Sequence, residues 1–445
     1  LEDLFAARAQ MAVSLGFHIV FALVGMAMPV FMVLAEWRYV RTGDPAELEL
    51  ARRWAKGTAI LFAVGAVSGT VLSFELGLLW PTFMEFAGPV VGMPFSLEGF
   101  AFFLEAIFLG IYLYGWEKVG RRTHLLAGIV VAVSGLASGV FVVSVNAWMN
   151  TPAGFTVKDG HVDHIDYVHA FFNPAFLTQA LHMALAAYAS VAFAVLGIHA
   201  ARLLRLPRSA FDRRAAEIAA LIALVATPLQ IASGDLAAKQ IARYQPLKLA
   251  AAEALFTTGR GAPLALGGLP DADAGVLHGA IHVPGALSFL ATGHFDGLVQ
   301  GLDAFPREDW PSLPVVHLSF DAMVACGFTM LALVAVFALL RLRRLDPFSR
   351  RWFLRAATLC SPLGVVAVEA GWFVTEVGRQ PWVVTGVLRT KDAVTPMPHL
   401  VWPMLGISAL YLVLGVTTVL LLRAHVLTAP TLAPPRSNPV ATGSP

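Results

Sequence analysis

Six ionisable side chains and one thioether lie in stretches with almost no other polarity. They are His18 in SLGFHIVFAL, Glu98 and Glu105 in LEGFAFFLEAIF, His182 in LTQALHMALAAY, Met323 in FDAMVACGF, and Glu369 and Glu376 in VEAGWFVTE. Imidazole and thioether are axial ligands of haem iron. A His/Met pair would close both axial positions and leave an electron-transfer centre. A lone His or Glu would leave one position open to a gas. Glu98 and Glu105 are seven residues apart, as are Glu369 and Glu376. On a helix that spacing places two carboxyls on one face about 10 Å apart along the axis, which suits a proton ladder or a salt bridge to another helix. Each residue also has a plainer reading. A lone His in an apolar run is commonly a packing residue or a proton relay, and a Met at helical spacing is usually core filler. Residue type and spacing alone lead to a haem-binding or proton-translocating protein and stop there.

The elements that must position these residues cross a membrane. The chain is 57% hydrophobic and 13% charged, with mean hydropathy +0.70, against about a quarter charged for a soluble domain. Nine apolar runs are long enough to span a bilayer, at roughly 11–36, 56–80, 94–115, 124–148, 172–201, 216–235, 315–340, 352–376 and 400–423. They do not alternate as barrel strands do, so the expected fold is an all-α integral membrane protein. Arginine and lysine crowd the exits of the odd-numbered spans, Arg38 to Lys56, Lys118 to Arg122, Arg202 to Arg214 and Arg341 to Arg355. By the positive-inside rule the N-terminus is outside and the C-terminus cytoplasmic. His18, His182, Met323 and Glu376, on four different spans, then fall at the outer level of the membrane. The expected organisation is six helices over 1–235, an external loop over 236–314, three helices over 315–423 and a disordered cytoplasmic tail over 424–445. Cys326 and Cys360 both lie in apolar runs, which argues against a disulfide framework or a cysteine metal site. No internal repeat is visible, which weakens the case for the commonest transporter folds.

Several motifs in sequence order carry a resemblance. GRQPW (378–382) follows VEAGWFVTE (368–376), QPLKLAAAEA occupies 245–254, and MVACG starts at Met323. LEGFAFFLEAIFLGIYLYGW (97–116) and NAWMNTPAGF (146–155) complete the set. The chain resembles subunit I of the cytochrome bd-type quinol oxidases along nearly its whole length. The resemblance implies that His182 and Met323 are the axial pair of a low-spin haem b. It implies that His18 and Glu376 each ligate one of two high-spin haems, with Trp372 at the cofactor. Glu98 and Glu105 would line the haem and proton region, joined by Ser138 and Asn146 in a proton path. Lys248 and Glu253 would belong to the quinol site, and Arg379 would meet haem propionates and act with Glu98 and Glu105 in catalysis. Asp321 stands where relatives usually carry arginine, and the external loop is of the short form.

The activity so implied is oxidation of quinol at the external loop and reduction of O2 to water, building a proton gradient without a pump. The implied cofactors are two haem b and one haem d, or three haem b. The implied partners are a membrane subunit II, a small accessory subunit, quinol, O2 and the lipid bilayer, with no nucleic acid, in the bacterial cytoplasmic (inner) membrane. Two rivals predict different properties. A proton-coupled secondary transporter would be colourless, and a haem b electron carrier would bind quinol but no gas.

Overall fold

Lipid offers a backbone no hydrogen-bond partner, so long apolar runs must satisfy themselves as helices. The structure, a computed structural model describing residues 2–427, is built mainly of them. The elements are α1 Glu2–Thr42, α2 Pro45–Leu79, α3 Pro81–Tyr114, α4 Arg121–Asn150, α5 Phe176–Arg205 and α6 Ala210–Tyr244. The short α7, Pro246–Ala252, follows at once. Then come α8 Leu313–Leu342, α9 Arg351–Cys360, α10 Leu363–Val377 and α11 Val401–Leu422. With α9 and α10 forming one interrupted span, nine spans among the described residues are long and apolar enough to cross a bilayer.

Most of the helices are longer than hydropathy alone indicates. The first begins at Glu2 rather than near residue 11, and α3 begins at Pro81 rather than near 94. Hydropathy marks only the lipid-facing part of a helix, whereas capping decides where it ends. Asp44 accepts from the Ala46 amide with Pro45 in the first turn, and Ser209 accepts from the Asp212 amide. The expected boundary at 235/236 falls inside α6, because DLAAKQIARY continues the helix to Tyr244. The non-spanning segment therefore runs over 245–312. The span over 352–376 is broken between Cys360 and Leu363, where Pro362 lacks the amide hydrogen a continuous helix needs. Of the tail expected at 424–445, residues up to Leu427 continue from α11 as a π-helical turn. The remainder lies outside the described residues.

The helices pack chiefly as sequential pairs, α1 on α2, α3 on α4 and α5 on α6, while α1 also meets α4, α5 and α11. The main core gathers Phe31, Met32, Trp54, Tyr112, Phe193 and Phe353. At the arginine-rich end, ion pairs tie helices to one another and to loops: Arg38 to Glu47 (2.7 Å), Arg213 to Asp346 (2.9 Å) and Arg214 to Asp44 (3.2 Å). The opposite end carries two features that hydropathy does not register. A hairpin pairs β1 Phe155–Lys158 with β2 His161–Ile165. Within the 245–312 segment, β3 Leu264–Leu266 pairs with β4 Ile281–Val283. That segment is thus folded over the helix ends as hairpins and short helices.

Close approach of α4 to α1 and α3 depends on Gly135. A Cβ there would lie 2.9 Å from the Gly25 carbonyl oxygen and 3.2 Å from the Glu105 carboxyl. Gly135→Val is therefore expected to force α1 and α4 apart at a cost of about 1–3 kcal/mol. Thermal unfolding in detergent, compared with Gly120→Val, where a Cβ meets open space, checks this.

Candidate active site

Serines on neighbouring helices set the tautomers of both intramembrane histidines. His18 Nδ1 on α1 lies 2.9 Å from Ser68 Oγ on α2. That hydroxyl donates to the Val64 carbonyl at 3.0 Å, so its lone pair accepts the Nδ1 hydrogen. His182 Nδ1 on α5 lies 3.0 Å from Ser233 Oγ on α6, which donates to the Gln230 carbonyl at 2.8 Å. The Gln230 amide nitrogen stands 3.1 Å from His182 Nε2 and donates to it. Both imidazoles therefore carry their hydrogen on Nδ1, the arrangement that leaves Nε2 as the ligating nitrogen of a metal-bound histidine; the His182 Nε2 lone pair is held by Gln230 in this structure.

Three of the four candidate ligands, His18, His182 and Met323, also face a glycine across a helix interface. A Cβ on Gly69 would lie 3.1 Å from His18 Cε1, and one on Gly234 would lie 3.5 Å from His182 Cε1. On α10, a Cβ on Gly371 would lie 2.9 Å from Met323 Sδ of α8. Ser68-Gly69 and Ser233-Gly234 are the same dipeptide in the same relation to a histidine. Sequence reasoning passed over it, although its recurrence opposite the two intramembrane histidines was the available signal.

A second constellation forms where α10 ends. Glu376 accepts from Asn146 Nδ2 of α4 and from Arg379 Nη2 at 2.5 Å. Asn146 Oδ1 accepts from Asn150 Nδ2 at 3.0 Å. Lys248 Nζ donates to Asn150 Oδ1, and to the Thr375 carbonyl at 3.1 Å. A row thus runs Lys248, Asn150, Asn146, Glu376, Arg379, buried at Lys248, Asn150 and Arg379 and partly exposed at Asn146 and Glu376. The helix stops at Val377, yet Arg379 still reaches back to Glu376. Trp372, half-buried, makes an edge contact with Phe373 at 5.2 Å. On α3, Glu98 accepts from Ser138 Oγ at 3.2 Å, and Glu105 is buried between Gly25 and Gly135. Glu369 faces Gly16 of α1.

The two residues expected together at a quinol site have different neighbours. Lys248 belongs to the row just described, where burial and the Arg379 charge push its ammonium down to about 7 while Glu376 opposes the shift. Glu253 follows the end of α7, where the chain leaves the helix, and it faces Asp321 of α8. Burial and the Asp321 charge push its carboxyl up to about 8.

Among the described residues, no three His, Cys, Asp or Glu side chains converge as a bare metal ion would require. Single donors on separate helices instead suit a ligand that brings its own equatorial nitrogens, so that protein supplies only the axial positions.

Residues 6–430 match the family model of cytochrome bd terminal oxidase subunit I. The chain belongs to that family. A Bacillus subtilis relative, named provisionally as a cytochrome bd menaquinol oxidase subunit I, is 37% identical over 428 residues, 95% of this chain and 96% of its own. The cytochrome bd ubiquinol oxidase subunit 1 of the same organism is 30% identical, covering 95% of this chain and 93% of its own. The solved structure of the bd oxidase from Geobacillus thermodenitrificans superposes with TM-score 0.90 at 39% identity, over 95% of this chain and 98% of its own. This is therefore a multi-pass bacterial membrane protein of the terminal quinol oxidase class. Haem is the family's cofactor, and the residues present fit it. Two imidazoles offer Nε2, a thioether faces a glycine, and the row holds buried cations of the kind that pair with carboxylates.

Proposed function

We propose that the chain oxidises quinol on the outer face of the membrane and reduces O2 to water within the bundle, with protons for water drawn from the opposite side. The matching Nδ1–H lock of His18 on Ser68 and of His182 on Ser233 supports this reading most directly, because it turns Nε2 of each ring into the lone-pair nitrogen. Bound haem supplies one-electron transfer and oxygen activation. His182 and Met323 would hold the low-spin haem, and His18 and Glu376 would each hold one of the others. These are two haem b and one haem d, or three haem b, with Trp372 against the cofactor.

The protein's own groups then do the positioning and the proton work. Ser68, Ser233 and Gln230 orient the imidazoles, while Arg379 and Lys248 balance carboxylates at the outer level. Glu98 and Glu105, with Ser138 and Asn146, carry protons inward along α3 and α4. Residues 245–312 form the outer quinol-binding segment between two helical blocks, and the N-terminus is outside and the C-terminus cytoplasmic. Subunit II is the required membrane partner, and a small accessory subunit accompanies it. Opposite-side proton chemistry separates charge without a pump.

The test is a reduced-minus-oxidised absorption spectrum of the purified complex with and without carbon monoxide, plus haem extraction. A carbon monoxide-sensitive chlorin band is the expected result. Carbon monoxide binding with haem b alone would assign the all-b form. One low-spin haem without a gas response would leave an electron carrier, and a folded protein without haem would overturn the reading.

A further inference from the structure

Three buried polar atoms without hydrogen-bond partners meet where α7, α8 and β3 join. His317, on the first turns of α8, is completely buried, and its Nδ1 donates to the Ala252 carbonyl at 2.7 Å. Nε2 is then the basic nitrogen. It lies 3.4 Å from Asp321 Oδ2 on the next turn, outside hydrogen-bonding geometry. Glu253, next in sequence to the carbonyl that His317 grips, is 5% exposed and has an unpartnered Oε2. The segment around β3 covers both carboxylates, with the Ala265 backbone beside Glu253 and that of Gly267 beside Asp321. Asp321 is 24% exposed, so the cluster opens to the surface on its side. Buried polar atoms are nearly always partnered. Three orphans in one place mark a site for a hydroxyl-bearing ligand.

Other charges near α8 are engaged elsewhere. Lys248 is turned to Asn150 and Thr375, and Glu376 is paired with Arg379. Glu369 faces Gly16. Asp235 and Lys239 of α6 pair with each other, and Asp271 is exposed and bonded to the Asp273 and Ala274 amides. Arg213 and Asp346 pair at the arginine-rich end. The charged group facing His317 is thus Asp321, which Glu253 faces in turn from beside the Ala252 carbonyl.

We propose that His317 is a second proton acceptor at the quinol site, taking one hydroxyl proton on Nε2 while Glu253 takes the other. This rests on the quinol-oxidising reading above. Each quinol loses two O–H protons and two electrons and becomes the quinone. The protons go to the imidazole and the carboxylate, and the electrons go to oxygen, the oxidant of the family's reaction. Asp321 acts as the fixed counter-charge that an imidazolium at Nε2 would meet. The raised affinity of Glu253 for protons fits an acceptor that works near neutral pH.

The test is the pH dependence of kcat/KM for oxygen consumption by the purified complex, with a short-tailed benzoquinol as substrate. Both acceptors must be deprotonated, so the wild-type rate falls tenfold per pH unit below the first of two steps and a hundredfold per unit below both. His317→Asn keeps a donor for the Ala252 carbonyl but no base. It is expected to lower kcat/KM about 100-fold, the scale of a lost general base, with a limb that never exceeds tenfold per unit. Glu253→Gln should likewise lose one step and keep the other. A wild-type limb of tenfold per unit throughout overturns the proposal, whether or not the variant assembles. So does His317→Asn with both steps retained, even at reduced activity. A haem-loaded wild-type complex that oxidises no quinol would instead overturn the parent reading.

Discussion

Glu376→Ala is expected to cost the assembled protein about 3–5 kcal/mol, the scale for removing one partner of a buried ion pair. Arg379 is 5% exposed and sits 2.5 Å from that carboxylate, with the buried ammonium of Lys248 close by. Without Glu376, two cations face each other across Asn146 and Asn150, and the Asn146 amide loses its acceptor. Thermal unfolding of the purified complex reads this loss. Glu376→Ala/Arg379→Leu separates the two roles assigned to the carboxylate. The double variant should recover most of the stability, since no guanidinium is left uncompensated, yet it should still lack one haem. Recovery of full haem content along with stability would show Glu376 to be a counter-charge only.

His182→Ala is expected to bring quinol oxidation to background and remove the low-spin haem from the reduced spectrum, because the proposed route has no other entry for electrons. Ser233→Ala makes the finer test. It leaves the imidazole in place but removes the acceptor that holds Nδ1–H. Loss of such a supporting hydrogen bond typically lowers metal affinity or activity about 10–100-fold. The expected order of residual haem is wild type, then Ser233→Ala, then His182→Ala. A Ser233→Ala complex with full haem and full activity would remove the tautomer argument, and a fully active His182→Ala complex would remove the ligand assignment.

How far the amino-acid order alone carries can be followed at particular residues. Nine membrane spans follow from hydropathy, since about 20 apolar residues in a row have few other soluble fates. The family follows from motifs such as GRQPW and QPLKLAAAEA, and the whole-chain matches bear it out. Helix ends did not follow, because capping by Asp44 and Ser209 and the continuation of α6 to Tyr244 are invisible to a hydropathy window. Nor did the hairpins of the 245–312 segment, whose strands are only two or three residues long.

The candidate site divides in the same way. His18, His182, Met323, Glu98, Glu105, Glu369 and Glu376 are legible from sequence because an ionisable or sulfur-bearing side chain is conspicuous in an apolar run. Their partners are not, since Ser68, Ser233, Gln230 and Asn150 are ordinary residues until the fold brings them within hydrogen-bonding distance. Lys248 and Glu253 share one motif, yet one faces α4 and α10 while the other faces α8. The sequence by itself determined that this chain crosses a membrane nine times with carboxylates and imidazoles inside it, because desolvation acts on each residue wherever it packs. Only the tertiary structure decided which nitrogen each histidine presents, which cation holds Glu376, and that His317 meets Asp321 and the carbonyl next to Glu253. Those depend on contacts between residues tens to hundreds of positions apart, and hydrogen bonding acts only over about 3 Å.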